Sequence, residues 1–450
     1  MATIQNCRLS LSETQSIPSD TKTKITFDTV VFDEGSWADT VNNKITPNQE
    51  GYYLVYAQFH SSVSATNKYL RLYTMKNAGD ATIRAWYPGN TAERSLRSND
   101  LVYFNGSTDY MDFWIRNSST IAKDLNADAS KTNVHIIGPF TSTDGFDMAR
   151  ITMASSQEIG TSSWTLADFD TAEFDTNSLF SSGNHRITPT KAGWYSVNFS
   201  ARQEISGGAI GYASIYLNGT AVSYYGFYAF TSSVIQSWDT DKWIYCNGTT
   251  DYLDFRVYQN SGIDKTLANA TSDTYACLLG PFQPTSNFRI AEVEVDGDQS
   301  VANTGEIVEF DSEISDESNN WNSSSYRFIA DLNGYYKVSA SIKIESKSTY
   351  EGELKIRKDG SDSCEAKWTA TANSSVHCLA ANDLIFLNVG EYIDIFSDHN
   401  YSSALRVYDD TFRTYIQVIG PIENIVDSEE TPDEEFILIP ISSINCQGAF

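Results

Sequence analysis

The stretch GYYLVYAQF, Gly51–Phe59, has two close counterparts in this chain of 450 residues. They are GWYSVNFSA at Gly193–Ala201 and GYYKVSASI at Gly334–Ile342. Each begins with glycine, which turns the chain freely, and continues with two aromatic residues and alternating side chains, a pattern typical of a half-buried β-strand. Three copies predict three similar domains, in agreement with the roughly 150 residues expected per domain.

Each copy of this strand divides into two sets of side chains, because successive residues of a strand point to opposite faces. One set is apolar in every copy and is predicted to line the core of its domain: Tyr53, Val55, Ala57 and Phe59; Tyr195, Val197, Phe199 and Ala201; Tyr336, Val338, Ala340 and Ile342. The other set begins with an aromatic residue and is richest in apolar residues in the first copy. A later strand in each copy divides in the same way.

The copies keep their register along the chain. Phe27-Asp28 recurs as Phe169-Asp170 and Phe310-Asp311, and each copy closes with an apolar strand that ends in Gly-Pro. These landmarks predict jelly-roll-sized domains at 1–142, 143–284 and 285–422, followed by a tail at 423–450. The linkers between the domains are short, which favours neighbouring domains that stack on one another.

Composition excludes several classes of protein. The chain is rich in Thr, Ser, Asn, Tyr and Phe and holds no long apolar run at helical spacing, so we expect an all-β fold. A formal net charge of −27 argues against nucleic-acid binding, and no stretch approaches the roughly 20 apolar residues of a membrane span. The N-terminus lacks the pattern of a secretory signal, which indicates either assembly inside the producing cell or a missing segment.

The six cysteines do not recur at equivalent positions of the copies, so we interpret them as mostly reduced core residues. A disulfide between Cys364 and Cys378, on neighbouring strands, stays open.

Aromatic and charged residues on the non-core faces of two strands predict a subunit interface, because large anchors within a polar rim are typical of such surfaces. The alternative is a solvated face with a few exposed tyrosines. The candidates for a trimer interface are Tyr52, Leu54, Tyr56, Tyr110, Trp114, Trp194, Tyr252, Tyr258, Tyr335, Tyr392 and Phe396.

No pattern in the sequence predicts a catalytic site. The five histidines lie at unrelated positions of the copies, and phosphate-loop and nucleophile-elbow motifs are absent. The Asp-Tyr-x-Asp pairs, such as Asp109 and Asp112, are three residues apart and so point to opposite faces of a strand, which favours turn and interface roles. We predict no cofactor; structural calcium at the acidic loops Asp296–Asp298 or Asp316–Glu317 is the remaining ionic possibility, although neither loop offers a full ligand set.

The tail differs from the rest of the chain. It has seven acidic and no basic residues between Glu423 and Glu435, followed by an apolar run. This run is either a strand that packs back on the third domain or a peptide that docks on a partner. The docking candidates are Phe436, Ile437, Leu438, Ile439 and Ile441.

The order of these motifs, from Phe-Asp through Gly-Tyr-Tyr and Asp-Tyr-x-Asp to the closing apolar strand, resembles the C1q/tumour-necrosis-factor jelly roll over residues 10–140, 146–282 and 287–422. Similar versions, with openings like Thr14–Pro18, occur in structural proteins of tailed viruses of bacteria and archaea. The resemblance implies tandem antiparallel two-sheet sandwiches, trimers about a threefold axis, and no shared catalytic residues.

The leading hypothesis is therefore a non-enzymatic virion protein. Its three tandem jelly rolls would trimerise into an elongated tower, fibre or decoration on a capsid or tail, assembled in the host cytoplasm and exposed on the particle. Expected partners are further copies of the chain, capsid or tail proteins, and a host surface glycan or protein. The alternatives are a secreted or cell-surface carbohydrate-binding adhesin and, as a third reading, a glycan-cleaving enzyme that uses Asp112 or Asp254.

Overall fold

The computed structural model describes residues 3–63, 68–86, 92–205, 209–228, 234–283, 287–345, 347, 350–370 and 376–422. These residues form an all-β structure of tandem antiparallel jelly rolls, which confirms the predicted fold class. A 3₁₀ helix at Ser142–Asp144 links the first copy to the second. Within the described ranges, no helix has the length and apolar character needed to cross a bilayer.

The strands of the first copy are β1 (Gln5–Ser10), β2 (Gln15–Ile17), β3 (Lys22–Lys24), β4 (Thr29–Asp33), β5 (Ala38–Asp39), β6 (Lys44–Ile45), β7 (Glu50–Val63), β8 (Leu70–Lys76), β9 (Gly79–Trp86), β10 (Ala92–Asn105), β11 (Met111–Asn117), β12 (Lys123–Leu125) and β13 (Asn133–Phe140). Those of the second copy are β14 (Asp147–Thr152), β15 (Gln157–Ile159), β16 (Thr165–Leu166), β17 (Thr171–Asp175), β18 (Phe180–Ser181), β19 (Arg186–Ile187), β20 (Ala192–Ile205), β21 (Ile210–Leu217), β22 (Thr220–Tyr228), β23 (Val234–Asn247), β24 (Leu253–Gln259), β25 (Lys265–Leu267) and β26 (Tyr275–Phe282).

The strands of the third copy are β27 (Arg289–Glu294), β28 (Gln299–Val301), β29 (Glu306–Ile307), β30 (Ser312–Asp316), β31 (Trp321–Asn322), β32 (Arg327–Ile329), β33 (Gly334–Glu345), β34 (Tyr350–Lys358), β35 (Ser361–Ala370), β36 (Val376–Leu387), β37 (Tyr392–His399), β38 (Leu405–Val407) and β39 (Tyr415–Gly420). The described strands correspond one to one across the copies, so that β1, β14 and β27 are equivalent, and so on along the chain.

Each domain is a sandwich of two antiparallel sheets with the same strand order in all three copies. The first sheet, which we call the inner sheet, runs β10–β7–β13–β1–β4, β23–β20–β26–β14–β17 and β36–β33–β39–β27–β30. The second, the outer sheet, runs β9–β8–β11–β6–β5, β22–β21–β24–β19–β18 and β35–β34–β37–β32–β31. Strand β3 and its equivalents pair with the outer sheet at β11, β24 and β37.

The repeated strand is β7, β20 or β33, the second strand of each inner sheet, between β10 and β13 or their equivalents. Its predicted core side is confirmed: Tyr53, Tyr195 and Tyr336 are all 0% exposed and pack between the two sheets. The alternation of apolar residues therefore placed one face of this strand correctly in every copy, because burial on one side of a sheet imposes a period of two.

Glycine is required where the repeated strand meets the closing Gly-Pro. In the second copy Gly193 has φ 141°, and a Cβ atom built on it would lie 2.6 Å from the Cβ of Pro281. On the facing strand, a Cβ on Gly280 would lie 2.5 Å from Cδ1 of Tyr195. Each motif therefore leaves space for the other, which explains why both occur in all three copies.

Candidate functional site: the interdomain core and its seams

The non-core faces of the three inner sheets meet in one buried apolar cluster. We call this cluster the interdomain core; it includes Leu54 and Leu101 from the first domain, Trp194 and Trp243 from the second, and Tyr335 and Leu384 from the third. Each of these side chains is at most 7% exposed. The three domains therefore pack side by side around a common centre, which differs from the predicted stack.

Each domain places the same edge against its neighbour. Strand β9 of the first domain lies against β23 of the second, β22 of the second lies against β36 of the third, and β35 of the third lies against β10 of the first. Because β9, β22 and β35 are equivalent strands, the three contacts, here called seams, repeat one geometry. The third seam joins the last domain back to the first, so the arrangement is a closed ring with approximate threefold symmetry.

Individual contacts repeat in the same way. The backbone amide of Ile83 donates to the carbonyl of Ser272 at 2.9 Å, and at the third–first seam the amide of Glu365 donates to the carbonyl of Ser130 at 2.9 Å. At the second–third seam the equivalent position is Tyr224, whose ring lies 5.9 Å from that of Phe412.

A buried ion pair lies at an equivalent place in every seam. Each pair joins the first strand of one inner sheet to the edge strand, β10 or its equivalent, of the preceding domain, and all six side chains are at most 8% exposed. The pairs are Arg150–Asp100 at 3.0 Å, Glu292–Lys242 at 2.8 Å and Arg8–Asp383 at 3.2 Å.

The polarity of the pair is reversed at the second–third seam. Arg8 and Arg150 occupy the position that Glu292 occupies in the third domain, while Lys242 replaces the carboxylates of Asp100 and Asp383. Opposite charge is thus preserved although both residues have changed sign, because an unpaired charge at a buried position is strongly unfavourable.

Burial and charge pairing shift the pKa values of Asp100 and Arg150 in opposite directions. Burial raises the pKa of Asp100, and the adjacent guanidinium of Arg150 opposes that increase. Burial also disfavours the charged form of Arg150, but Asp100 and Glu173 outweigh it, so the pKa of Arg150 is raised. The guanidinium of Arg150 donates to the carboxylates of both residues.

Aromatic contacts support two of the seams. The ring of Phe174 lies 4.6 Å from that of Tyr52, and the ring of Phe32 lies 4.8 Å from that of Tyr335. The third domain has Ser315 at the position of Phe32 and Phe174, so the second–third seam has no aromatic ring there. The second–third seam therefore differs from the others both in the sign of its ion pair and in this contact.

A lysine lies near the centre of the ring. Lys337, on β33, is 2% exposed, and its Nζ atom lies 3.8 Å from the ring centroid of Tyr56 in the first domain. Among the described residues, this atom has no hydrogen-bond partner. Burial lowers the pKa of Lys337 to about 8, and the carboxylates of Asp241 and Asp383 oppose that decrease.

The predicted interface residues divide into two groups in the structure. Five of them contribute to the interdomain core or pack at its seams: Tyr52, Leu54, Tyr56, Trp194 and Tyr335. The other six are half-buried on the outer sheets, away from the ring centre: Tyr110, Trp114, Tyr252, Tyr258, Tyr392 and Phe396. Cations lie over several of these outer rings, such as Arg186 over Tyr252 at 3.9 Å. The docking-tail candidates lie outside the described residues.

Comparison of the copies could have identified the seam ion pairs that the sequence analysis missed. At the position of Arg8 the three copies read Arg, Arg, Glu, and at the position of Asp100 they read Asp, Lys, Asp. The sign therefore changes in the third copy at the first position and in the second copy at the other, which keeps opposite charges between these neighbouring copies. A paired reversal of this kind indicates contact between the positions.

The acidic residues that resembled catalytic pairs have local partners. Asp109 accepts hydrogen bonds from the side chain of Asn77 and the amide of Asn105, which fits the predicted role in a turn. The carboxylate of Asp316, which was a candidate calcium ligand, accepts hydrogen bonds from the backbone amides of Asn320 and Trp321. Within the described ranges, no group of three or more His, Cys, Asp or Glu residues is arranged to hold a metal ion.

Cys364 and Cys378 are both free, which answers the question of a disulfide between them. The Cys364 thiol lies 3.4 Å from Oε1 of Gln58 in the first domain.

No protein-family model and no curated protein matches this sequence. Among solved structures, the chain is similar to murine APRIL, with 9% identity and a TM-score of 0.24 over 30% of this chain and 98% of that one. It is also similar to the Eiger TNF of S. frugiperda, with 12% identity and a TM-score of 0.23 over 31% and 96% of the two chains. A third similar structure, described as a triple jelly-roll fold and turret assembly in an archaeal virus, has 9% identity and a TM-score of 0.19 over 92% and 91%.

Proposed function

We propose that this chain is a non-enzymatic structural protein of a virion, built as one compact block in which three jelly rolls close around the interdomain core. The observation that carries the proposal is the repetition of equivalent contacts at all three seams, including the one that joins the last domain to the first. In such an arrangement, the buried faces between the domains hold the three domains in fixed positions relative to one another. The virion setting follows from the sequence resemblance to structural proteins of tailed viruses.

In this proposal one chain takes the place of the homotrimer expected from the sequence. The partners of Tyr52, Trp194 and Tyr335 are domains of the same chain, so a homotrimer through these faces would require the ring to open. The domain boundaries near residues 142, 284 and 422 then separate three parts of one block. Further copies, or capsid and tail proteins, would bind to the remaining surfaces, where the six outer aromatic residues stay candidates.

The tail keeps its proposed role as a docking peptide. Deletion of residues 436–450 should leave a folded, compact chain that no longer joins particles, because the apolar run would supply the contact with the particle. Incorporation can be measured by co-sedimentation of purified chain with particles that lack it, and a low-resolution image would locate it. Equal incorporation of the full and shortened chains would exclude the docking role, and no incorporation of the full chain would contradict the virion role.

A carbohydrate-binding adhesin is the second candidate. The partly exposed ring of Trp164 on the second domain, which four tyrosine rings of the outer sheet surround, favours it. A secreted adhesin would bind glycan without joining any particle, so the incorporation experiment separates the two functions.

A further inference from the structure

The outer sheet of the second domain carries a cluster of aromatic rings around Trp164, which immediately precedes β16. The centroids of four tyrosine rings, those of Tyr212, Tyr216, Tyr224 and Tyr258, lie 5.5 to 6.1 Å from that of the indole. Trp164 is 37% exposed, so part of the indole lies open to solvent above rings that support it. The cluster is far more aromatic than an ordinary outer sheet surface, on which scattered single residues are normal.

The equivalent positions of the other domains have a different chemistry. Strand register aligns Tyr212 and Tyr258, which face each other across β21 and β24, with Arg71 and Arg116 in the first domain and with Glu353 and Asp398 in the third. The same register aligns Trp164 with Lys22 and Gly305. The same location on the outer sheet is thus basic in the first domain, aromatic in the second and acidic in the third. The jelly roll therefore folds without the aromatic cluster. Tyr224 also contacts Phe412 at the second–third seam, but this contact does not explain the exposed indole of Trp164.

The charges beside the cluster are neutralised. Arg256 stacks on Tyr216 at 4.2 Å, and its guanidinium donates to both carboxylate oxygens of Asp254, at 2.7 and 3.2 Å. Arg413 of the third domain lies over Tyr224 at 4.5 Å, and it donates to Asp410. Since both cations are paired and the chain carries a formal net charge of −27, this surface does not favour an anionic ligand.

We propose that the cluster around Trp164 is a binding site for neutral glycans. A pyranose ring presents weakly positive C–H groups on one side, which lie favourably on the negative face of an aromatic ring, while its hydroxyl groups can bond to phenol, carboxylate and guanidinium groups at the edge. The supporting tyrosines hold the indole in place, so little conformational entropy is lost on binding. For its biological role the inference rests on the proposed function, since many copies displayed on one particle would strengthen a weak contact.

The test uses the purified full chain on an array of mannose-, galactose- and N-acetylglucosamine-terminated neutral glycans, with their sialylated and sulfated counterparts beside them. We expect binding to neutral glycans, a loss of roughly tenfold or more in Trp164→Ala, and retention of part of the binding in Trp164→Phe. Ile263→Ala is the control, because Ile263 is 61% exposed on the same domain and should leave binding unchanged. Light scattering and thermal melting of each variant show whether it remains folded.

Absence of binding to every neutral glycan, a preference for the acidic ones, or equal binding by wild type and Trp164→Ala would each overturn the inference. A self-associating chain whose association is lost in Trp164→Ala would also overturn it, because a second copy would then occupy the cluster. None of these outcomes affects incorporation into particles, so failure of the glycan site and failure of the virion role are distinguishable.

Discussion

At the residue scale, a buried ion pair lies in every seam, where the faces of neighbouring domains meet. Each pair is buried, so removing one partner leaves a charge without compensation, while the intact pair contributes more to matching than to stability. The reversed pair Lys242–Glu292 makes the second–third seam electrostatically distinct from the other two. We infer that it disfavours incorrect pairing of domains, because a domain placed at the wrong seam would bring like charges together.

A charge reversal tests this role. Glu292→Lys should lower the free energy of unfolding by about 3 to 5 kcal/mol, because it places two ammonium groups at a buried site. The double variant Glu292→Lys with Lys242→Glu should recover most of that loss, since it restores a pair with the polarity of the other seams. Urea denaturation of the two single variants and the double variant measures the coupling. Additive losses without recovery would show that the pair does not act across the seam.

Lys337 gives the ring a defined pH dependence. Its pKa is about 8 in the folded chain and about 10.4 in an unfolded chain, so between these values the unfolded state binds more protons. The free energy of unfolding should therefore rise with pH across this window, and below pH 8 the buried charge should cost roughly 3 kcal/mol. Lys337→Met should be more stable than wild type at pH 7 and should lack this rise. Parallel urea titrations between pH 7 and 10.5 check the difference, and identical pH profiles for the two chains would contradict it.

At the scale of elements, the fit between the repeated strand and the closing Gly-Pro holds each inner sheet together. Gly280→Ala should cost about 1 to 3 kcal/mol, because its Cβ would meet the ring of Tyr195 and the backbone of Trp194. Gly183→Ala is a matched control in the same domain, since a Cβ there meets no atom within 4 Å. Thermal denaturation should separate the two variants by about 1 to 3 °C. Equal melting temperatures would show that the sheet adjusts without cost.

Sequence reasoning succeeded where the physical signal is local. The alternation in β7, β20 and β33 predicted the core faces. Sequence reasoning proposed Tyr52, Trp194 and Tyr335 for a trimer interface between chains, whereas in the structure they lie in the interdomain core of one chain. It did not predict that the partners lie in the same chain, because closure depends on contacts between residues as far apart as Arg8 and Asp383, separated by 375 positions. The Trp164 cluster was missed for a related reason, since its rings come from three separate strands and the segment just before β16.

At the scale of the whole molecule, the ring explains how the three copies can differ at their seams and on their outer sheets. In a trimer of identical subunits every interface residue must suit all three seams at once, because symmetry repeats it. Joining the copies in one chain removes that constraint, so each seam and each outer sheet can change independently. The reversed ion pair and the basic, aromatic and acidic outer surfaces are the expected results of such freedom.

Small-angle X-ray scattering of the monomeric full chain tests the central claim, that three jelly rolls close into a ring within one polypeptide of 50.1 kDa. A compact chain of 450 residues should have a radius of gyration of about 22 Å. If the three jelly rolls were instead arranged in a row, with their inner faces free to join other chains, the radius of gyration should be about 30 Å or more. A value near 22 Å for the monomer supports the ring, and a value of 30 Å or more, or a stable trimer of extended chains, would contradict it.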